Sequence, residues 1–551
     1  MSHVNAMDIQ REVNTLARSW WTREVAVKQW YRMIQLFNDL KQPNMESVIS
    51  SDPRTGFNMA KWLLTPRTSA FVADTTGMSE DLGRAMGDVE SYSDQQLVRM
   101  KRKRRTSLWG SPMERLIGMM LATGWYAVSS VPTENGWHTE VWNPMQVYPE
   151  YSSDGALIKV GRKYTLTSGE ANIQIVLRGW NRPTLPFSGK FVTVFSLWRM
   201  TLFGAEHAVA ISNHLAKPPT VHPMGHIPIF TAPVGGLPDD GSIVGGEEWK
   251  AEIGQSLMAP IKDVQKNYDK MLTFLQQLVR DTANPRWIER VKQAGKLKPE
   301  RLFQRGAIFS VEPDEDIHPM ATPPLPPESQ SHLFTLHNQT QRGLFSDISF
   351  GNITQQVSGF LMSQVTSSSK QTLNPFHEGV KNVWGEVATK NVELMRRLGI
   401  TMGGVAFPQT DRDMDLDFMY DVEIPGDFIQ RVSAARVANP MFRLATVTLH
   451  DVLFPEVQNS LVEQQRIRAE DATNNPVFQQ VLLMRELARG AREARDNNDE
   501  EMAQWLDRAA GMVEEQSFGP SDPGSAPDLP PGVRPEALPP EVQEVLAGRE
   551  G

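Results

Sequence analysis

The stretch 257–283, LMAPIKDVQKNYDKMLTFLQQLVRDTA, constrains this chain more than any other. Its apolar residues Leu257, Ile261, Val264, Tyr268, Met271, Leu275 and Leu278 are spaced alternately four and three apart. That spacing keeps one narrow stripe on one side of a helix. Lys262, Lys266, Asp269, Thr273, Gln276 and Arg280 fall away from the stripe and give the helix a polar side. Pro260 starts or kinks the helix, because its ring displaces the Ser256 carbonyl. Asn284-Pro285 ends it, since the residue before proline is pushed out of the α region. A long helix with one apolar seam packs side by side with others, and pattern alone fits the core helix of an ordinary bundle.

The residues beyond the helix are less ordinary. Residues 286–311 are short and strand-like, with turns at 293–295 and at Arg305-Gly306. Arg286, Arg290, Lys292, Lys296, Lys298, Arg301 and Arg305 face only Glu289 and Glu300 in this stretch, so it is locally basic. An acidic cluster, Glu312, Asp314, Glu315 and Asp316, and a stiff PPLPP segment at 323–327 come next. Ser329 or Ser331 can cap a second helix containing Leu333, Phe334, Leu336, Leu344 and Phe345. The chain therefore leaves along one long helix, passes through a compact basic module, and returns along another. The returning helix reaches SFGNITQQVSGF, 349–360, an uncharged loop with glycines at both ends. Residues 361–398 are helical again, with Pro375 marking an interruption.

Upstream, residues 8–40 read as helix, with Trp20, Trp21, Trp30, Tyr31, Ile34 and Leu36 supplying bulk. The SSDPRTG turn at 50–56 closes this segment, and helix resumes over 57–64. A helical block over 91–121 contains Lys101-Arg102-Lys103-Arg104-Arg105, a run that reads as a solvated face because no aromatics interleave it. Residues 116–133 read as a buried helix running into a strand rather than a membrane span, and no membrane segment is expected. The N-terminus lacks the apolar core of a signal peptide. From 125 to 233 the texture turns to short β-rich runs broken by Gly, Pro and Asn, including WYAVSSV, IQIVLRGW and KFVTVFSLWRM. Downstream, 411–423 alternates acids with Met414, Leu416, Phe418 and Tyr420, which is strand periodicity. Helices resume over 428–516, and the Pro-rich residues 517–551 are expected to be disordered.

The chemistry-bearing motifs are missing. There is no P-loop, no HExxH and no GxSxG. The chain has no cysteine, so disulfides, thiolate metal sites and cysteine nucleophiles are excluded. His222 and His226 flank Pro223 and Gly225 and read as ordinary loop histidines. Asp411, Asp413 and Asp415 imitate the start of a calcium loop, but Leu416 and Val422 stand where its glycine and glutamate belong. Neither an enzyme activity, a metal nor a cofactor is expected. A net charge of -9 argues against a protein that coats nucleic acid over its whole surface, so any DNA contact must be local or loose.

Several stretches together carry a family resemblance: Trp142-Asn-Pro-Met-Gln-Val-Tyr-Pro149, Gly225-His-Ile-Pro-Ile229, the helix to Asn284-Pro285, and Ile348-Ser-Phe-Gly351 before the uncharged loop. In their order and spacing, which span about residues 10–515 of the chain, they resemble the portal protein of tailed bacteriophages, the head-to-tail connector. The resemblance implies an α+β, portal-type subunit with long stem helices, a β-rich wing, a small α/β clip and a helical crown, assembled as a ring. By the same resemblance, 1–245 would be the wing, 246–285 the outgoing stem helix, 286–327 the clip and 328–348 the returning stem helix. The tunnel loop would be 349–360, the spine helix and wing strands 361–430, the crown 431–516, and 517–551 a Pro-rich tail. It further implies a non-enzymatic virion protein at the capsid portal vertex, assembled in the host cytoplasm, through which double-stranded DNA is packaged and ejected. The implied partners are eleven further copies of itself, the terminase large subunit, major capsid and scaffold proteins, and head-tail adaptor proteins.

Elementary geometry is compatible. Twelve helices about 10 Å wide, side by side in a ring, leave a channel ~28 Å across inside, enough for a duplex, whereas six leave only ~9 Å. An uncharged loop suits passage rather than capture, because each Lys or Arg on a phosphate adds salt-dependent grip. Asn352, Thr354, Gln355 and Gln356 are therefore expected at the narrowest part of the channel, and Lys262, Lys266, Thr273 and Arg280 on the stem's channel face. Arg286, Arg290, Lys292, Lys296, Lys298 and Arg301 are expected to contact partners or the neighbouring subunit's acidic cluster at 312–316. The competing reading is another virion structural protein, capsid-associated or part of a tail tube. A translocating nuclease or helicase would need nucleotide- or metal-binding residues that the sequence lacks.

Overall fold

The computed structural model describes residues 5–41, 46–66, 69–73, 80–103, 110–133, 136–181, 189–238, 241–243, 245–283, 287–290, 314, 316–319, 327–345, 359–399, 415–420, 476–496 and 500–518. The chain is mixed helix and sheet, and it divides into two compact units, 1–430 and 431–551.

The first unit opens with α1 (Ala6–Ser19) and α2 (Trp21–Ile34), two helices where the sequence reads as one. The break falls at Trp20, whose indole is buried, donates to the Pro149 carbonyl at 2.8 Å and packs edge-on against Trp125. Trp30 and Ile34 are core residues as expected, but Trp21 and Tyr31 are exposed. Arg23 is buried between Trp20, Trp125 and Tyr148, and its Nη2 donates to the carbonyls of Pro144 and Val147. Burial pushes its guanidinium down to about 10. Helix α3 (Asp52–Leu64) begins inside the segment read as a turn, because Pro53 fits the first turn of a helix.

Strand β1 (Ala70–Ala73), α4 (Glu80–Lys103) and α5 (Pro112–Thr123) follow. Ser111 caps α5 by accepting from the Glu114 N–H. Gly124 ends it at φ +69°, a left-handed position where a side chain would also collide with the Gln255 backbone. The chain turns directly into β2 (Trp125–Thr133), the expected buried helix running into a strand. Among the described residues no helix is long and apolar enough to cross a membrane.

Strands β3 (Gly136–Val141), β4 (Val147–Tyr151) and β5 (Leu157–Thr167) precede α6 (Ser168–Leu177). That helix corrects the expectation of a strand at IQIVLRGW. Thr167 accepts from the Glu170 N–H at 3.2 Å, and the T-x-x-E spacing is a helix-start signal legible in the sequence. Then come β6 (Phe191–Thr201), β7 (Gly204–Ile211), β8 (His214–His222) and β9 (Ile229–Pro233). Strands β4 to β8 form a five-stranded antiparallel meander, and β3-β2-β9 form a second antiparallel sheet.

A short α7 (Trp249–Glu252) and a 3-10 turn holding Pro260 lead into α8 (Lys262–Ala283). Proline thus starts the long helix rather than bending it. Strands β10 (Trp287–Arg290) and β11 (Asp316–Pro319) pair with each other, and α9 (Pro327–Gly343) follows. Helix α10 (Gly359–Arg397) runs unbroken through Pro375, contrary to the expected interruption. An interior proline costs about 3 kcal/mol, whereas each fully buried large side chain contributes about 1.5–3 kcal/mol. Leu373 and Phe376 flanking Pro375, and Val380, Val383 and Trp384 further along the same helix, are all buried and outweigh that cost.

Strand β12 (Leu416–Met419) pairs with β1, its Leu416 and Phe418 buried and Asp417 exposed, as the alternation predicts. Phe71 and Phe418 meet across this pair at 5.2 Å. The core of the unit lies where α10 and α5 pack with α3, β2 and β12. In the second unit, α11 (Pro476–Asp496) and α12 (Glu500–Phe518) pack together through the small buried residues Ala491 and Ala503.

Candidate functional site: the paired long helices and the module they carry

Helices α8 and α9 form an antiparallel pair. Gly343 at the end of α9 touches Ile261 and Pro260 at the start of α8, and His337, a turn and a half earlier, meets the Tyr268 ring at 5.7 Å. The seam is the apolar stripe read from the sequence: Leu257 and Ile261 are buried, and Val264, Tyr268, Met271, Leu275 and Leu278 are half-buried. On α9, Leu336 and Thr340 face inward. Leu344 and Phe345, just past its end, join the main core.

At the other end the chain leaves α8 and re-enters α9 through paired strands. Trp287 lies opposite Pro319 and Arg290 opposite Asp316 in the antiparallel register. The module between the helices is thus closed at its base by β10 and β11. Asp316, the last residue of the acidic cluster, sits across from Arg290 of its own chain in the strand register. His318 Nδ1 lies 3.0 Å from Asp316 Oδ2. Arg286, Lys292, Lys296, Lys298 and Arg301 lie outside the described residues.

The polar side of α8 is divided rather than uniform. The segment 46–50 runs along it and covers one row of side chains. Thr273 is buried there, its hydroxyl 3.2 Å from both the N–H and the carbonyl of Val48. Asp269 accepts from the Ser50 N–H at 2.9 Å and from Gln265 at 3.0 Å. Burial raises the Asp269 carboxyl to about 6. Arg280 is half-buried and lies 3.9 Å from the Glu46 carboxylate. Of the four residues expected on a channel face, only Lys262 and Lys266 are exposed. Thr273 is buried rather than exposed, because a segment 225 positions earlier in the sequence claims its hydroxyl. Nothing in the helix pattern carries that information.

A feature not singled out from the sequence is a set of exposed apolar side chains on the pair. Phe274 and Val279 of α8 and Phe334 of α9 are exposed at 66, 62 and 67%. Phe274 and Val279 are apolar residues outside the four-three stripe, which is the signal that could have found them. The loop residues Asn352, Thr354, Gln355 and Gln356 lie outside the described residues, and α10 begins immediately after them.

The other candidate residues stay apart. His222 ends β8 and contacts Lys217, while His226 is pushed down to about 4 by burial beside the Phe230 ring. Among the described residues no group of three or more His, Cys, Asp or Glu could hold a metal ion. Lys101, Arg102 and Lys103 are the last residues of α4, Lys101 half-buried and Arg102 exposed; Arg104 and Arg105 lie outside the described residues.

No protein-family model matches this chain, and no curated protein matches it. A solved structure described as "Neck of empty GTA particle computed with C6 symmetry" is similar to it at 12% identity and a TM-score of 0.42, over 73% of this chain and 90% of that one. At that identity and score the likeness is too loose to carry an argument about function.

Proposed function

We propose that this chain is a portal-type subunit: a non-enzymatic virion protein that assembles as a ring around a channel for double-stranded DNA. The ring sits at one capsid vertex, where it serves genome packaging and ejection and gives terminase and head-tail adaptor proteins a docking site. One arrangement supports this most. Two long antiparallel helices carry a strand-closed module at one end, with an uncharged, glycine-bounded segment and a 39-residue helix following directly. That is the element order of the sequence resemblance, with the helices paired as staves would be.

A subunit that stays single has no need to expose Phe274, Val279 and Phe334 on one helix pair. Side-by-side contact with the neighbouring pair in a ring covers them, and Lys262 and Lys266 then fall to the channel wall. The loop residues Asn352, Thr354, Gln355 and Gln356 touch moving DNA without gripping it.

The native mass of the purified protein tests the proposal. A single large multiple of 61.9 kDa is expected, and a monomer at every salt concentration overturns it. Gln355→Lys combined with Gln356→Lys tests the loop separately: packaging should slow, and an unchanged packaging rate removes the loop from the channel.

A further inference from the structure

Strand β8 is the edge of the five-stranded meander, and its ladder to β7 is interrupted. The register jumps between His207 and Val209 and again between Val209 and Ala210, while Pro218 and Pro219 on β8 have no N–H to donate. Side chains bridge this gap. Lys217 Nζ lies 3.0 Å from His207 Nδ1 and 3.0 Å from His222 Nε2. Ammonium can only donate, so both imidazole nitrogens accept. The remaining nitrogen of His207 then carries its proton, matching the 3.0 Å contact of His207 Nε2 with Ser196 Oγ. The His207 ring is stacked on Trp198 at 4.1 Å, with only 6° between the planes.

We propose that Lys217, His207 and His222 form an acid-released clasp: with both imidazoles neutral the lysine fastens the edge strand across its proline break, and imidazole protonation frees it. A protonated imidazole has no lone pair to offer Lys217 and adds a second positive charge at hydrogen-bond distance. The surroundings do not relieve that charge. Glu206, the carboxylate beside His207 on β7, is engaged by Arg199 of β6 at 2.9 and 3.2 Å. Arg178, after α6, adds a further positive charge acting on His207. His214 stands at the far end of β8, opposite Ile211.

Burial and the Lys217 charge lower both imidazoles from 6.5, His207 the further. A histidine depressed in the fold stabilises it fully above its unfolded pKa. That contribution is lost as pH falls below about 6.5 towards the folded value. The strand is therefore fastened at neutral and alkaline pH and loosens in mild acid.

Deuterium uptake of residues 214–222 in the full-length protein, corrected for the intrinsic pH dependence of exchange, tests the clasp. Between pH 8 and pH 5, opening of this segment should rise on the order of tenfold or more, while β5 and β6 stay protected. Lys217→Met should show the acid-like uptake already at pH 8. His207→Gln combined with His222→Gln keeps two acceptors that cannot titrate, and its uptake should be flat with pH. If that pair does not fold, His222→Gln alone should make the rise in uptake between pH 8 and pH 5 smaller than in the wild type. Equal opening of the wild-type segment at pH 8 and pH 5 overturns the proposal. So does a glutamine variant that follows the wild-type curve.

Discussion

Gly343 lies against Ile261 with no room between them for a β-carbon; one built on Gly343 would collide with Ile261 Cγ2 and lie 3.6 Å from Pro260 Cβ. Here the end of the returning helix packs against the turn that starts the outgoing one. Alanine there gains up to about 1 kcal/mol of helix propensity, but overpacking costs about 1–3 kcal/mol. Gly343→Ala should therefore lower the denaturation midpoint, and Gly343→Val should lower it further. A raised midpoint in the alanine variant means the helices are not apposed at this point.

Thr273 holds the 46–50 segment on α8 through both polar groups of Val48. Thr273→Val keeps the shape and leaves the Val48 N–H and carbonyl without that partner, a loss of about 1–3 kcal/mol. Limited proteolysis should show 46–50 cut faster in this variant. Glu46→Gln, which weakens a partly exposed 3.9 Å pair with Arg280 and keeps an oxygen to accept from Gln276, should change stability by less than about 1 kcal/mol.

These two contacts mark the limit of what the sequence reveals. The stripe of α8, its start at Pro260 and its end at Ala283, the helix-to-strand passage at Gly124 and the alternation of β12 are local patterns, and all are present in the fold. Each depends on residues within one element. The covering of Thr273, the pairing of β10 with β11 and the continuity of α10 through Pro375 depend on residues far apart in the chain. The helix α6 is a different case, because its capping signal Thr167-Ser-Gly-Glu170 was present and the apolar run IQIVL masked it. Of the candidate site, the apolar seam was legible, while the division of the polar side was not.

Asp269 gives the fold a pH dependence of its own. Its carboxyl is raised to about 6 by burial, above the ordinary value of 3.8, so the folded state binds more protons than the unfolded one between those values. Stability from this group is full below about 4 and declines as pH rises through 6. Asp269→Asn, which retains the oxygen that accepts from Ser50 and Gln265, should remove that decline. Thermal midpoints of the two proteins between pH 4 and pH 7 check this, and parallel curves would rule out Asp269 as the source.

Phe274 and Phe334 are two-thirds exposed, so replacing them costs the subunit little. Phe274→Asp with Phe334→Asp should leave the thermal midpoint of the isolated subunit nearly unchanged and abolish its assembly. Light scattering reads the second effect. A variant that assembles as the wild type does would show that the exposed side of the helix pair is not the contact between copies.

A single-particle electron reconstruction of the purified full-length protein tests the channel reading most directly. The expected result is a closed hollow ring whose bore is wide enough for a duplex, about 20–30 Å by the width of packed helices. The paired helices α8 and α9 should stand as its staves, with Lys262 and Lys266 towards the bore and Phe274 and Phe334 between subunits. A monomer, a filament or a shell without a bore, under every salt condition tried, contradicts it.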